Sequence, residues 1–292
     1  DVVNKINSRL LFPVLALALV VVAACSSSGG SRFADLPLSD EPLTGKFIWH
    51  DLITDDLDQA KRFYGGLFGW SFEDTTHPNG GDYTLITLGD QYVGGIVQLA
   101  DPDGADYSRW LGYLSVRDVD RAVEFNRAQG GMVAAGPIDL PGIGRAAAIQ
   151  DPQTAVVGLF SSDHGDPDDS LDPGPGQVVW SEMLASDDEA AVGFYTSLAG
   201  YETVDEQRAR GVYHQLVSQG RKRAGVMQRP TEDVKPFWLT HFGVADLAQA
   251  TKLTEELGGS VLLAPDAGFR NGLLAVVVDP NGAILALHQW TD

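Results

Sequence analysis

An internal repeat constrains the fold of this chain more than any other feature of its sequence. The run Trp49–Tyr64 returns as Trp180–Tyr195, with 15 residues from tryptophan to tyrosine in both copies. Each copy has an acid two residues after its tryptophan, two adjacent aspartates in the middle and a Phe-Tyr pair at its end. Equal spacing of so many matched residues predicts a duplicated structural unit.

A second, weaker pair of repeats lies in step with the first. The matched segments are Arg109–Ala122 with Phe237–Ala250, followed by Gly130-Gly131 with Gly258-Gly259 and by Asp151-Pro152 with Asp279-Pro280. Each of the four segments predicts a strand, an Asp at the N-cap, a helix of about ten residues and three short strands. The predicted fold is α+β, with the order βαβββ repeated four times.

Paired βαβββ modules with a Phe-Tyr pair in the first helix and an Asp-Pro turn before the last strand resemble the vicinal oxygen chelate superfamily. This superfamily includes glyoxalase I, extradiol dioxygenases and bleomycin-resistance proteins. The resemblance covers about residues 45–290. It implies two glyoxalase-like units, 45–161 and 177–290, with curved mixed sheets and helices on their outer faces. Residues 162–176, rich in Asp, Pro and Gly, are predicted to form an exposed linker.

The resemblance also implies a metal site, and this sequence departs from it. Members with a metal carry His, Gln or Glu early in each opening strand and Glu partway along each closing strand. The corresponding residues here are Trp49, Leu111, Gly158, Trp180, Leu239 and Ala286. Divalent metals of this kind need imidazole, carboxylate or thiolate ligands. The sequence therefore predicts no metal and no other cofactor.

Two histidines are candidate replacement ligands. His241 and His288 both have the inward parity of their strands, but an antiparallel pairing of those strands would separate them by more than about 10 Å. His50 has the opposite parity and is predicted to face the covering helix. The same parity predicts that Trp110 and Trp238 pack against helices.

Alternation along the strands predicts two concave pockets, one in each unit. An indole beside a carboxylate suits a small, partly apolar ligand, a cation included, and a neighbouring tyrosine or histidine adds a hydrogen-bond donor. The predicted pocket residues are Trp49, Asp51, Tyr113, Trp180, Glu182 and His241. Burial would raise the pKa of either acid and fit it for general-base work, so Asp51 and Glu182 are the candidate catalytic residues. The alternative is that both indoles fill the core and both acids are satisfied by the backbone.

The amino-terminal segment predicts export and a lipid anchor. Residues 1–24 combine a short positive region with an apolar stretch too short to span a bilayer comfortably, which is typical of a secretory signal. They end in Val22-Ala23-Ala24-Cys25, which resembles a bacterial lipobox and makes Cys25 the predicted lipidation site. Residues 25–44 would then be the lipidated Cys and a flexible tether. The alternative is an uncleaved transmembrane anchor with an incidental cysteine.

The net charge and the missing motifs reduce the number of function classes that fit this sequence. A formal net charge of −20 disfavours nucleic acid as a partner. Signatures of catalytic triads, P-loops and dinucleotide-binding turns are absent from the sequence. Three hypotheses remain for an envelope lipoprotein on the periplasmic or outer surface. They are a metal-free module that binds a small organic molecule, a glyoxalase-type lyase or isomerase acting on a small carbonyl compound, and a protein-interaction scaffold.

Overall fold

Two eight-stranded sheets, one from each half of the chain, form the framework. The structure is a computed structural model that describes residues 38–39, 41–76, 81–99, 108–140, 142–169, 173–209 and 211–291. The predicted signal peptide and Cys25 lie outside the described residues. Within the described ranges, no helix is long and apolar enough to cross a membrane.

The first sheet belongs to unit 1. Its first module comprises β1 (Phe47–Thr54), α1 (Leu57–Phe68), β2 (Ser71–Thr76), β3 (Asp82–Leu88) and β4 (Gln91–Gln98). Its second comprises β5 (Arg109–Ser115), α2 (Val119–Ala128), β6 (Met132–Leu140), β7 (Gly144–Gln150) and β8 (Val156–Ser162). The strand order is β2-β3-β4-β1-β5-β8-β7-β6, so the two opening strands are neighbours at the centre. They pair antiparallel with each other and parallel with the closing strands of their own modules.

The second sheet repeats this arrangement in unit 2. The third module comprises β9 (Val178–Ala185), α3 (Asp188–Ala199), β10 (Glu202–Arg208), β11 (Gly211–Ser218) and β12 (Arg221–Gln228). The fourth comprises β13 (Phe237–Val244), α4 (Leu247–Glu256), β14 (Ser260–Leu263), β15 (Leu274–Val278) and β16 (Ile284–Gln289), with a 3-10 turn at Arg270–Gly272. The order β10-β11-β12-β9-β13-β16-β15-β14 matches the first sheet strand for strand. The α+β fold of four βαβββ modules in two units is confirmed.

Local sequence explains where the helices begin. A carboxylate at each N-cap accepts a hydrogen bond from the backbone N–H three residues later, which satisfies one of the free donors of the first turn. The four caps are Asp56, Asp118, Asp187 and Asp246. Helices α1 and α3 end at Gly69 and Gly200, whose φ angles of 73° and 70° lie in the left-handed region that glycine adopts without strain.

The helix-covered faces of the two sheets meet and share their cores. One hydrophobic cluster joins the first module to the fourth, and another joins the second module to the third. The predicted helix-packing tryptophans lie here: Trp110 Nε1 donates to the Tyr64 hydroxyl at 3.0 Å, and Trp238 Nε1 to the Tyr195 hydroxyl at 2.8 Å. Two units that share buried apolar surface in this way are expected to fold and unfold as one body.

His50 lies on this same inner boundary. Its Nε2 is 3.3 Å from Ser181 Oγ of unit 2. His50 therefore contacts the other unit, whereas the sequence predicted that it would contact the covering helix. The side chain is buried, and burial lowers its pKa to about 3.

The end of the predicted tether packs against the predicted linker. The Leu43 N–H and the Ser115 hydroxyl both donate to Asp166 Oδ2 at 2.6 Å, and Lys46 Nζ donates to the Pro167 carbonyl. Asp166 is fully buried. These contacts fix the point at which the chain enters unit 1.

Candidate functional site

The unit 1 pocket residues form a closed hydrogen-bonded cluster. Asp51 Oδ1 accepts hydrogen bonds from the Tyr83 hydroxyl at 2.7 Å and from Trp49 Nε1 at 2.9 Å. The Trp49 ring also packs against the hydrophobic cluster formed by Tyr83, Leu85 and Val97. Asp51 is entirely buried. These contacts favour the core-filling alternative for Trp49.

Burial dominates the electrostatics of Asp51. Loss of solvent raises the pKa of its carboxyl to about 7, although hydrogen bonds from Tyr83, Trp49 and Tyr113 act in the opposite direction. Among the described residues, Oδ2 has no hydrogen-bond partner. An ionised carboxylate with one bare buried oxygen is costly, which explains why the protonated form is favoured.

The equivalent cluster in unit 2 has different contacts. Trp180 Nε1 donates to the Tyr213 hydroxyl at 2.8 Å, as Trp49 Nε1 donates to the Tyr83 hydroxyl at 3.1 Å in unit 1. Glu182, however, forms a salt bridge with Arg270, whose guanidinium also lies 4.9 Å from the centre of the Tyr213 ring. The side chain of Glu182 is 3% exposed, whereas that of Arg270 is 18% exposed. Arg270 therefore lies between a buried acid and the solvent.

Two histidines complete the unit 2 cluster. His241 is fully buried, its Nε2 lies 3.7 Å from Glu182 Oε2, and its ring centre lies 6.0 Å from that of His288. In the part of the chain that the structure describes, neither ring nitrogen of His241 has a hydrogen-bond partner, and neither has Nδ1 of His288. Burial lowers the pKa of His241 to about 4, so its ring is neutral at neutral pH.

The predicted separation of these histidines was wrong because the strand pairing differs. Strands β13 and β16 run parallel, with His241 opposite Ala286 and Gly243 opposite His288. In a parallel pair, side chains two residues apart on neighbouring strands lie on the same face and close together. Parity alone placed both rings inward but could not give the direction of the partner strand.

A glycine in each unit leaves room for the tyrosine hydroxyl. Gly95 and Gly225 lie opposite Asp51 and Glu182 on the neighbouring strand. A Cβ at Gly95 would lie 1.7 Å from the Tyr83 hydroxyl, and one at Gly225 would lie 1.9 Å from the Tyr213 hydroxyl. Each glycine is therefore required by the Trp–Tyr contact beside it.

The two clusters occupy the same places in the repeat but have diverged. On the opening strands, Tyr113 is opposite Gly158 in unit 1 and His241 is opposite Ala286 in unit 2, so Tyr113 and His241 are equivalent. Two residues further along the closing strands, Phe160 of unit 1 is equivalent to His288 of unit 2. Unit 1 thus has a tyrosine and a phenylalanine where unit 2 has two histidines. The structure brings the predicted residues together as two sets, Trp49 with Asp51 and Tyr113, and Trp180 with Glu182 and His241.

Three residues of these clusters were not predicted. Tyr83 follows Trp49 by 34 residues and Tyr213 follows Trp180 by 33, so an extended alignment of the repeat would have found both. Arg270 lies in the β14–β15 loop, where no periodic pattern applies. Its position beside Glu182, 88 residues earlier, had no signal in the sequence.

The residues present do not fit the metal site of the resembled family. Trp49, Leu111, Trp180, Leu239, Gly158 and Ala286 offer no ligand atom at the implied positions, and Leu111, Leu239 and Ala286 are buried in apolar clusters. Among the described residues, no three His, Cys, Asp or Glu side chains are arranged to hold an ion. The guanidinium of Arg270 against Glu182 further disfavours a cation there.

A cavity of about 310 Å³ lies away from both clusters, at the junction of the units. Its walls come from helices α2 and α3 and from the Asp151–Gln153 turn, and they include Phe125, Phe194, Gln129 and Ser197. At the equivalent junction between α1 and α4, Leu257 packs closely against Gly66. The α1–α4 junction is therefore filled by a side chain, whereas the α2–α3 junction contains the cavity.

Comparison with known proteins gives consistent matches. Residues 46–157 match the family model described as the Glyoxalase/Bleomycin resistance protein/Dioxygenase superfamily. A protein named "Putative glyoxylase CFP32", from Mycobacterium tuberculosis, is 31% identical over 257 residues, covering 86% of this chain and 97% of its own length. The anthracycline biosynthesis protein DauV of Streptomyces sp. strain C5 is 30% identical, covering 82% and 91%.

Solved structures share the fold at low sequence identity. The Mn(II)-bound glyoxalase of Novosphingobium aromaticivorans has a TM-score of 0.56 and 16% identity, covering 85% of this chain and 83% of its own. The 2,3-dioxygenase LapB of Pseudomonas sp. KL28 has a TM-score of 0.55 and 12% identity, covering 86% and 94%. At these identities the likeness concerns architecture, since one fold hosts many chemistries.

Proposed function

Because the chain belongs to the glyoxalase/bleomycin resistance protein/dioxygenase superfamily, we propose that it binds a small organic molecule at the Glu182–His241 cluster of unit 2. One observation carries the proposal: His241 is fully buried, and neither of its ring nitrogens has a hydrogen-bond partner in the described chain. Buried polar atoms without partners are costly and uncommon in native proteins. A ligand that supplies a donor and an acceptor would remove this cost.

Unit 1 is less suited to the same role. Among the described residues, Asp51 Oδ1 accepts hydrogen bonds from Trp49 and Tyr83, so only Oδ2 of this acid lacks a partner, whereas both ring nitrogens of His241 lack one. Polar groups that satisfy one another gain little by exchanging partners with a ligand. We therefore assign the ligand to unit 2 alone and give the unit 1 cluster a structural role.

A second candidate function is a glyoxalase-type proton transfer on a small carbonyl compound. His241 Nε2 and Glu182 Oε2 are 3.7 Å apart, and a neutral imidazole beside a carboxylate is a pair through which a proton can move. The name of the mycobacterial relative agrees with this reading. Incubation with small α-hydroxy ketones in D2O tests it: deuterium next to the carbonyl, lost in His241→Tyr, would establish the enzyme.

The cellular setting is part of the proposal. The segment ending at Cys25 supports export and attachment to the envelope by lipid, on the periplasmic or outer surface. We propose that the bound molecule is held without a metal, which elemental analysis of the purified protein tests. One equivalent of Zn, Ni, Mn or Fe per chain would contradict this. A scaffold that binds other proteins is the reading that remains if no ligand is found.

The binding proposal is tested with a variant that copies unit 1 into unit 2. His241→Tyr with His288→Phe places the unit 1 residues at the equivalent positions, so the fold should be preserved. A small-molecule library is screened by thermal shift against the parent and this variant. The parent is expected to be stabilised by at least one compound that leaves the variant unchanged. Equal stabilisation of both proteins, or no hit on the parent, would contradict the proposal.

A further inference from the structure

We infer that Arg270 recognises an anionic group, so that the ligand of unit 2 is a small organic acid. This inference rests on the proposed function, because it names the chemical class of the molecule held at the Glu182–His241 cluster.

Arg270 is more exposed to solvent than the two titratable groups beneath it. Its side chain is 18% exposed, whereas Glu182 beneath it is 3% exposed and His241 is 1% exposed. A guanidinium carries five N–H donors in a planar fork that suits a carboxylate. The hydrogen bonds to Glu182 and Tyr213 leave further donors for a ligand.

The backbone holds Arg270 in an unusual conformation. Its φ angle is 51° and that of Asn271 is 55°, both in the left-handed region that residues other than glycine seldom adopt. The preceding residues, 264–268, are exposed. Two adjacent left-handed residues cost energy, and such strain is concentrated at sites where a side chain must be held in place. In this conformation the side chain of Arg270 contacts Glu182 and lies against the Tyr213 ring.

The local charge differs from that of the whole chain. In a protein with a net charge of −20, two guanidinium groups lie over one ring: Arg208 is 3.6 Å and Arg270 is 4.9 Å from the centre of Tyr213. Arg208 is paired with the exposed Glu206 and Arg270 with the buried Glu182. A cationic ligand would have to compete with Arg270 for Glu182. An anionic ligand can share the guanidinium instead.

Unit 1 provides an internal comparison. At the equivalent position Asp51 is buried with two neutral donors, Trp49 and Tyr83, on Oδ1 and, among the described residues, no partner on Oδ2. The acid of the repeat therefore does not require an arginine to be buried. In unit 2 the arginine accompanies two histidines with ring nitrogens that lack partners in the described chain, which connects it with the ligand site.

The test uses a fragment library made of carboxylic acids and their matched primary amides, measured by thermal shift and then by calorimetry. The acids are expected to bind more tightly than their amides, with affinity that falls as salt rises. Glu182→Gln removes the competing carboxylate and should tighten acid binding. The double variant Arg270→Gln with Glu182→Gln should bind acids about 10- to 100-fold more weakly than Glu182→Gln alone, because it loses one hydrogen bond to a charged group. The double variant avoids leaving Glu182 buried without a partner.

Arg145→Gln is the matched control, since that arginine is bound by Asp120 and Asp139 on the surface of unit 1. It should bind the acids as the parent does. Amides that bind as well as acids, or acid binding that survives in the double variant, would overturn the anion inference while leaving the proposed function standing. A library without any hit would overturn both.

Discussion

The Tyr64 hydroxyl of unit 1 donates a hydrogen bond of 3.0 Å to Asp279 Oδ2 of unit 2. The reverse contact also exists, because the Tyr195 hydroxyl of unit 2 donates to Asp151 Oδ2 of unit 1 at 2.8 Å. Each Phe-Tyr pair of the repeat is thus completed by the Asp-Pro turn of the other unit. Both acids are buried, and burial raises the pKa of each to about 6.

Removing one of these hydroxyls should destabilise both units together. Tyr64→Phe leaves Asp279 without its side-chain donor and Trp110 without its acceptor, at a cost of about 1–3 kcal/mol in the free energy of unfolding. Tyr195→Phe should cost a similar amount, and the double variant should be additive because the two networks are separate. Urea denaturation measures both. Ser197→Ala, an exposed change on α3, is the control and should stay within about 0.5 kcal/mol. A Tyr64→Phe protein as stable as the parent would contradict the role of the crossed contacts.

Two glycines should respond to alanine in opposite directions. Gly95→Ala places a methyl group against the Tyr83 hydroxyl and should destabilise the protein by about 1–3 kcal/mol. Gly193→Ala lies inside α3 with open space around the new methyl group, and should stabilise it by about 0.5–1 kcal/mol. The melting temperatures of the two variants give the comparison. A Gly95→Ala protein as stable as the parent would show that the packing around Tyr83 is looser than described.

The buried acid of unit 1 should leave a signature in the pH dependence of stability. Asp51 has a pKa of about 7 in the folded protein against 3.8 when solvated, so the native state binds more protons between these values. Stability is therefore lost as pH rises toward and through 7. Asp51→Asn lacks this contribution, while the other titrating groups are shared with the parent. Between pH 6 and 8 the parent should lose about 1 kcal/mol more than the variant. Parallel curves for the two proteins would show that Asp51 is ionised in the native state.

The predicted lipid anchor can be tested independently of the fold. Cys25→Ser should leave an unprocessed precursor and abolish labelling by a radioactive fatty acid, because the lipoprotein hypothesis attaches the lipid to that thiol. Processing is followed by gel mobility and by the membrane fraction. Labelling that persists in the variant would contradict the lipoprotein hypothesis.

Much of the fold could be predicted from the sequence because its signals are local. An aspartate before an amphipathic run marks a helix start, and alternation assigned Trp110 and Trp238 to the helix side correctly. The repeat supplied the number of modules. These inferences need only neighbouring residues, and all of them agree with the structure.

The contacts between the units and the candidate site were less predictable, because both join residues that are far apart in the sequence. Tyr64 and Asp279 are 215 residues apart, and no local pattern indicates that the repeat units exchange partners. The contact between His241 and His288 depends on strand direction, and that of Arg270 depends on the path of a loop. Alternation along a strand shows on which face of the sheet a side chain lies, but not which residues it contacts there.

We propose that unit 2, and not unit 1, holds the ligand, and the indole N–H signals of the tryptophans distinguish the two units. The chain has six tryptophans, and nitrogen-15 NMR resolves one indole signal from each. Trp180→Phe and Trp49→Phe identify the two that matter. Titration with a compound that stabilises the parent is predicted to shift the Trp180 signal and leave that of Trp49 in place. A shift of Trp49 with Trp180 unmoved would contradict the account.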